Sequence, residues 1–198
     1  MQFRPFEDGI EVSGENIGAT LDGFKKYPTV ALRNLVKYGI VKARAGEEPQ
    51  IDRSAWYPMR EWLAAYEGIA NEVGFNSLYS IGRTIPENAV FPPHINDIHS
   101  AIASIDVAYH MNHRKHGVVM FDPQSGTMLE GIGHYGCAPV PDENRIVSVC
   151  ENPYPCDFDR GIISAMATRF EPGARTVHDP DAPCRKKGAE SCTYVVWW

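Results

Sequence analysis

Apolar residues recur at helical spacing through residues 1–90. Between positions 16 and 38 they repeat every three or four residues on both sides of Pro28, which predicts two short amphipathic helices with a break at the proline. The same spacing runs through 56–73 and 75–81 and predicts two further helices. Between these pairs, the polar stretch AGEEPQIDRS is expected to be a linker.

The pattern changes from helical to extended in the second half of the chain. Residues 95–109 predict another amphipathic helix, entered through Pro92 and Pro93. After Gly117, VVMFD and MLEGIGHYG joined by PQSG predict a hairpin, and RIVSVC predicts a third strand. DFDRGIISAMATRF predicts a helix, and ARTVHD and CTYVVWW predict two closing strands.

This order of elements predicts the α+β class. N-terminal helices precede a small antiparallel sheet into which one helix is inserted. We therefore divide the chain into an N-terminal helical part, 1–90, and an α+β ligand-binding module, 91–198. At 198 residues the two parts are expected to form one compact domain overall.

Composition and charge exclude several classes of protein. The chain is 43% hydrophobic and 22% charged, without a long apolar run, which is typical of a soluble globular protein rather than a membrane protein. MQFRPFEDGIEVSG carries early acidic residues and no apolar signal core, so we expect a cytoplasmic location. With a net charge of −6 and no basic run longer than RKK, a nucleic-acid partner is not expected.

Five cysteines in an expected reducing compartment favour metal binding or redox sensing over disulfides. Cys156 begins the inserted helix, whereas Cys184 and Cys192 flank the charged loop of the last hairpin. If the helix packs across the sheet, the three thiols meet, and Asp181 or His178 would complete a tetrahedral zinc site of the structural kind. The alternative is that the cysteines are small buried apolar residues.

Several of these segments resemble a known pair of families. PYPCDFDRGIISAMATRF, the following V-H strand and C-x3-G-x3-C-x-Y-V-V-W are similar to the C-terminal module shared by 4-vinyl reductase-type ligand-binding domains and haem nitric oxide/oxygen-binding domains. The similarity covers about residues 90–198. It implies zinc ligation by Cys156, Cys184 and Cys192, with Asp181 where relatives carry glutamate or histidine and His178 as the alternative.

The resemblance also raises the question of haem. Haem-binding relatives carry an axial histidine on the helix that corresponds to about 95–112, and His99 lies within one residue of that place. Their Tyr-x-Ser-x-Arg motif, which holds the haem propionates, is missing where this chain reads VSVCENPYPCDFD. We therefore expect zinc as the principal cofactor and haem as the less favoured one.

Histidines offer a second candidate metal site. Asp106, His110 and His113 are spaced i, i+4 and i+7 on one face of the predicted helix, as a small metalloenzyme would require. The alternative is structural, because histidines near a helix C-terminus stabilise its last turn. His134 and Cys137 lie three apart on a predicted strand and face opposite sides, so no catalytic residue is assigned, and an enzyme is not favoured.

The resemblance implies a sensory role. We expect a standalone sensor-like domain that binds a small apolar or aromatic ligand, carries a structural or redox-responsive zinc site, forms a homodimer through its N-terminal helices and acts on a signalling partner protein. A haem-based gas sensor and a metalloenzyme are the rival hypotheses. The candidate ligand-binding residues combine aromatic surface with polar groups: Trp62, Tyr66, His94, His99, His110, His134 and Tyr135.

Overall fold

The computed structural model describes residues 1–43 and 49–198. The predicted linker, 45–54, therefore lies partly outside the described residues, and its described part, 49–54, contains no helix or strand. The elements up to residue 90 are β1 (Ile10–Ser13), α1 (Gly14–Gly23), α2 (Pro28–Lys37), β2 (Trp56–Pro58), α3 (Met59–Val73), α4 (Phe75–Thr84) and a 3₁₀ turn (Pro86–Asn88).

The second half contains two helices and most of the strands. In chain order these elements are α5 (Ile98–Met111), β3 (His113–Lys115), β4 (Val118–Val119), β5 (His134–Tyr135), β6 (Ala138–Pro139), β7 (Arg145–Glu151), α6 (Cys156–Phe170), β8 (Arg175–His178), a 3₁₀ turn (Arg185–Lys187) and β9 (Cys192–Trp197). The predicted α+β class is confirmed.

The strands form two antiparallel sheets. One has the order β2-β1-β3-β4, so it takes two strands from residues 1–90 and two from 91–198. The other has the order β5-β7-β9-β8, with β6 also paired to β7. In its centre, β7 and β9 pair from Arg145 opposite Trp197 to Cys150 opposite Cys192. This register brings the first residue of β9 to the end of β7 that leads into α6.

The strands of the structure differ from the prediction at several places. VVMFD and MLEGIGHYG pair only beside the PQSG turn, where Phe121 and Met128 share an isolated bridge and the Leu129 N–H donates to the Met120 carbonyl at 2.8 Å, while His134 and Tyr135 pair with β7 instead. The sequence also gave no signal for β1, because four residues with Ile10 and Val12 buried are too short to show a clear alternation.

Helix boundaries follow local capping chemistry. α5 begins at Ile98 rather than directly after the Pro92–Pro93 pair, because the Asp97 side chain accepts a hydrogen bond from the Ser100 amide at 2.7 Å and completes a capping box. α6 begins directly after Pro155 and so places Cys156 in its first turn. Among the described residues, no helix is long and apolar enough to span a membrane.

A cluster of aromatic rings fills the space between the N-terminal helices and the second sheet. The Tyr66 ring of α3 stacks on Trp62 at 5.3 Å and meets Phe158 of α6 edge-on at 5.6 Å. Tyr109 of α5 lies 5.2 Å from Tyr135 between ring centres. We call this the aromatic cluster, and its members are all buried: Phe3, Phe24, Trp62, Tyr66, Tyr109, Tyr135, Tyr154 and Phe158.

Candidate functional site

Three cysteine thiols meet at the end of the second sheet. Cys156 is the first residue of α6, Cys184 precedes the 3₁₀ turn, and Cys192 is the first residue of β9. All three are buried, and their sulfur atoms lie within 4.8 Å of one another. We call this group the thiol cluster; it joins one helix, one strand and the loop between β8 and β9.

The structure brings neither of the two proposed fourth ligands into the thiol cluster. Asp181 is exposed, and the His178 ring stacks on Tyr194 with 5.1 Å between ring centres. Arg185 instead contacts the cluster, because its backbone N–H and its Nε–H donate to the Cys192 sulfur at 3.3 and 3.4 Å. Hydrogen-bond donors of Arg185, rather than Asp181 or His178, therefore lie beside Cys192.

These donors stabilise a thiolate at Cys192. A hydrogen bond from the Cys156 thiol, followed by the backbone N–H and the charge of Arg185, lowers the pKa of Cys192 to about 4 in spite of burial. The same hydrogen bond and burial raise the pKa of Cys156. The pair therefore consists of one thiolate and one protonated thiol, with the proton on Cys156.

Arg185 extends the thiol cluster into a buried polar network. Its guanidinium is fully buried and donates to the Asp159 carboxylate and to both the backbone and the side-chain oxygen of Asn152. Asp159 also accepts from the Tyr135 hydroxyl at 2.6 Å and from the Asn152 amide at 3.2 Å. Burial nevertheless raises the pKa of Asp159, and the Arg185 charge opposes this shift.

Sequence reasoning missed Arg185 and Asp159. Arg185 belongs to the run RKK, which reads as a solvated loop, and Asp159 reads as an acidic residue in a helix first turn. One signal was available: Arg185 directly follows a predicted buried cysteine, whereas Lys186 and Lys187 do not. The structure buries Arg185 and leaves the two lysines exposed.

A second group of candidate ligands lies where α5 meets β5. Asp106, His110 and His134 bring a carboxylate oxygen and two ring nitrogens within 4.8 Å of one another. His134 Nδ1 is 2.9 Å from Asp106 Oδ2, and its Nε2 is 3.2 Å from a Glu130 carboxylate oxygen. These hydrogen bonds raise the pKa of His134, although burial opposes them. We call the three residues the histidine cluster.

The histidine cluster differs from the predicted metal site by one residue, because it contains His134 instead of His113. His113 lies outside the histidine cluster, fully buried beside the aromatic rings, with Nδ1 2.7 Å from the Tyr109 carbonyl and Nε2 3.1 Å from the Tyr154 hydroxyl. Burial lowers its pKa to about 4, so His113 is neutral. His134 takes its place because β5 pairs with β7 and packs against α5, a long-range contact that helical spacing cannot reveal.

Tyr135 connects the two clusters. Its backbone N–H donates to Asp106 Oδ1 at 2.9 Å, and its hydroxyl donates to Asp159 at 2.6 Å. A continuous polar path therefore runs from Cys192 through Arg185, Asp159 and Tyr135 to Asp106.

In the described part of the chain, the residues predicted to bind an apolar ligand line neither of two surface clefts. Trp62, Tyr66 and Tyr135 belong to the closed aromatic cluster, where the Tyr66 hydroxyl lacks a hydrogen-bond partner among the described residues. His94 and His99 are exposed. Two surface clefts of about 390 and 460 Å³ are formed by other residues, around His116 and around Leu32 respectively. The expectation of an apolar or aromatic ligand in the core is therefore not supported.

Comparison with known proteins identifies the fold. No family model and no curated protein matches the chain. Solved H-NOX structures match at low identity: one from S. oneidensis in the Fe(II)NO ligation state (14% identity, 93% of this chain, 97% of that chain, TM-score 0.60) and one from K. algicida with unliganded Fe(II) (10%, 93%, 95%, 0.59). A structure from work on haem redox potential and porphyrin distortion also matches (12%, 94%, 99%, 0.59).

The chain therefore has the H-NOX fold over almost its entire length. The predicted resemblance to haem nitric oxide-binding domains is confirmed at the level of the fold, whereas its 4-vinyl reductase part is not supported. We expected zinc as the principal cofactor and haem as the less favoured one. That expectation is wrong for this fold, because the similar structures are H-NOX proteins reported in Fe(II) states or studied for their haem.

The residues of this chain do not accommodate a haem as they are packed. Rings of the aromatic cluster lie 5.2–6.4 Å apart between centres, and the Tyr66 ring meets Tyr154 and Phe158 across the space between the two halves, which is van der Waals contact for aromatic pairs. His99, the predicted axial ligand, is exposed on the first turn of α5 with its ring against Trp198 at 5.4 Å. A macrocycle would have to displace several buried rings.

Proposed function

We propose that this chain is a haem-independent sensor domain with the H-NOX fold, and that its input is oxidation of the Cys192 and Cys156 pair. The observation that carries the proposal is the buried Cys192 thiolate, which accepts hydrogen bonds from Arg185 and lies beside a protonated thiol. A low pKa and a neighbouring resolving thiol are two features of redox-sensing cysteines; the third, solvent access, is small here because both thiols are buried, so the oxidant has to enter the site.

Hydrogen peroxide is the oxidant that fits a buried site, because it is small and uncharged. The Cys192 thiolate attacks one peroxide oxygen and breaks the O–O bond; the released hydroxide takes a proton and leaves as water, and Cys192 becomes a sulfenic acid. The Cys156 sulfur then attacks the Cys192 sulfur, and the hydroxyl leaves with the Cys156 proton as a second water. The product is a disulfide, two electrons more oxidised than the thiols.

Oxidation changes both charge and geometry at the thiol cluster. The negative charge beside Arg185 disappears, and the two sulfurs must move from within 4.8 Å to about 2.05 Å, the length of a disulfide bond. Both changes act on the start of α6 and the start of β9. Arg185 connects these positions to Asp159, which in turn accepts a hydrogen bond from Tyr135. We propose that this shift alters a surface read by a signalling partner protein.

Mass spectrometry of oxidised protein tests the input directly. Peroxide treatment followed by alkylation and non-reducing peptide mapping is expected to yield a Cys156–Cys192 disulfide. Cys137 is the internal control, since it is half-buried, outside the thiol cluster, and has a pKa raised by burial. Cys192→Ser is expected to abolish the disulfide, whereas Cys137→Ser leaves it unchanged. Oxidation of Cys137 with the cluster thiols still reduced would contradict the proposal.

Addition of haem separates this proposal from a haem-based gas sensor. The folded protein is expected to give no saturable Soret band on titration with hemin, because the aromatic cluster is closed. A stoichiometric Soret band that shifts on exposure to nitric oxide would overturn the haem-independent assignment. We also propose that the chain forms a homodimer through its N-terminal helices and acts on a signalling partner protein. Size-exclusion chromatography tests the dimer, and affinity capture tests for the partner.

A further inference from the structure

We infer that the histidine cluster, Asp106, His110 and His134, is a binding site for a divalent first-row transition-metal ion. It lies on α5 and β5, whereas the thiol cluster lies at the starts of α6 and β9. The inference does not depend on the proposed redox function, because it uses a different set of residues and a different chemistry.

The three side chains are already close to metal-binding geometry. Two ligands that are each about 2.1 Å from one ion lie at most about 4.2 Å apart, and the three ligand atoms here lie within 4.8 Å of one another. His134 Nδ1 is 2.9 Å from Asp106 Oδ2, and the rings of His110 and His134 lie 4.9 Å apart between their centres. Closing the site around an ion requires rotation of these side chains.

His110 supplies an independent sign that a ligand belongs here. Its side chain is fully buried, and its Nδ1 lies 2.9 Å from the backbone carbonyl of Asp106, which fixes the proton on Nδ1. The other ring nitrogen, Nε2, then carries a lone pair that is buried and has no hydrogen-bond partner among the described residues. A buried imidazole nitrogen without a donor is energetically unfavourable, so Nε2 is the atom through which His110 would bind an ion.

Supporting contacts hold the carboxylate in place. Asp106 Oδ1 accepts a hydrogen bond from the Tyr135 backbone N–H at 2.9 Å, so the orientation of the carboxylate is set by the pairing of β5. The Glu130 carboxylate lies 3.2 Å from His134 Nε2 at the exposed rim of the site. Such outer contacts orient ligands in metal sites and tune their affinity.

The donor set selects the class of ion. Two imidazoles and one carboxylate suit Fe²⁺, Co²⁺ and Ni²⁺, whereas Ca²⁺ and Mg²⁺ prefer oxygen ligands alone. Two histidines with one carboxylate also leave coordination positions open, as in mononuclear iron sites. His134 is partly exposed, with 38% of its side chain accessible, so the cluster can be reached from solvent on that side.

Cobalt(II) is a suitable probe, because its visible absorption reports binding and the type of ligand. Titration of the full-length, chelator-treated and reduced protein with Co²⁺ is expected to show one site with nitrogen and oxygen ligands. His134→Gln and Asp106→Asn are each expected to weaken binding by at least about tenfold. His99→Gln is the matched control, since His99 is exposed on the opposite end of the same helix.

The thiol cluster is excluded as the source of the signal by Cys184→Ser, which is expected to leave the Co²⁺ titration unchanged. Circular dichroism and thermal unfolding establish that each variant is folded. No binding of Co²⁺ by the wild type would overturn the inference, as would binding that survives both His134→Gln and Asp106→Asn. Failure here leaves the peroxide-dependent disulfide unaffected, so the two proposals are tested separately.

Discussion

Arg185 carries a full positive charge in the interior, with 1% of its surface exposed. A buried ion costs several kcal/mol unless it is paired and hydrogen-bonded, and here the Asp159 carboxylate, the Asn152 oxygens and the Cys192 thiolate all face the guanidinium. Arg185 therefore links the chemical state of Cys192 to the stability of the fold.

Removal of one partner of this buried pair is expected to be costly. Arg185→Leu leaves the Asp159 charge buried without its partner, so the free energy of unfolding should fall by about 3–5 kcal/mol. Arg185→Leu combined with Asp159→Leu should lose less than the single variant. The control is Arg60→Leu, which breaks an exposed pair with Asp8 and should cost at most about 1 kcal/mol. Equal urea denaturation midpoints for Arg185→Leu and Arg60→Leu would contradict this assignment.

His113 predicts a pH dependence of stability. Burial lowers its pKa from 6.5 to about 4, so between these values the unfolded chain binds a proton that the folded protein does not. The stability contributed by neutral His113 is complete above pH 6.5 and decreases as the pH falls towards 4, by about 3 kcal/mol in total. In His113→Gln, the free energy of unfolding measured in urea should depend less on pH across this window. The same pH dependence in the variant and the wild type would refute this role of His113.

Close contact between α4 and α6 holds the N-terminal helices against the second half. A Cβ atom added at Gly161 would lie 2.3 Å from the Tyr79 carbonyl oxygen, and one at Gly82 would lie 2.1 Å from the Phe158 carbonyl oxygen. Both obstructing atoms are backbone, which cannot move aside as a flexible side chain can. The two glycines thus permit the helices to approach at backbone distance and position the N-terminal end of α6, where Cys156 lies.

Gly161→Ala is therefore expected to lower the free energy of unfolding by about 1–3 kcal/mol. Gly173→Ala is the matched control, because an added Cβ there meets nothing within 4 Å and the backbone angle is not left-handed. It should be neutral or slightly stabilising, since alanine restricts the unfolded chain. Thermal unfolding compares the two variants, and equal melting temperatures would show that the helix contact is looser than described.

The sequence was informative for long elements and uninformative for short ones. The helices α3, α4 and α6 were predicted to within a few residues, because ten to fifteen residues suffice to establish a helical period. The strands β5 and β6 have two residues each and are defined by their pairing with β7. Residues brought together by such pairing, including His134 and Asp106, were accordingly not predicted to meet.

The candidate sites show the same division. The meeting of Cys156, Cys184 and Cys192 was predicted, because each cysteine sits at the end of a recognisable element. The environment of Cys192 was not predicted, since the burial of Arg185 depends on Asp159, which is 26 positions away in the chain. The closed aromatic cluster was also missed, because aromatic content alone does not distinguish a filled core from a pocket.

At the scale of the whole molecule, two clusters of reactive side chains are joined by one buried polar path. The thiol cluster and the histidine cluster lie at opposite ends of the connection through Arg185, Asp159 and Tyr135. Buried polar networks of this kind have few alternative arrangements, so loss of charge at one end is expected to change hydrogen bonding at the other. On the proposed function, this path is the route by which oxidation at Cys192 would reach β5.

Hydrogen–deuterium exchange of reduced and peroxide-oxidised protein measures this transmission directly. The account predicts that oxidation increases exchange at the start of β9 and in the 3₁₀ turn at Arg185–Lys187, and that the increase extends to His134 and Tyr135 of β5. Cys192→Ser should show no peroxide-dependent change at any of these segments. Identical exchange at β5 in the two states of the wild type, once the Cys156–Cys192 disulfide has formed, would contradict the sensor mechanism.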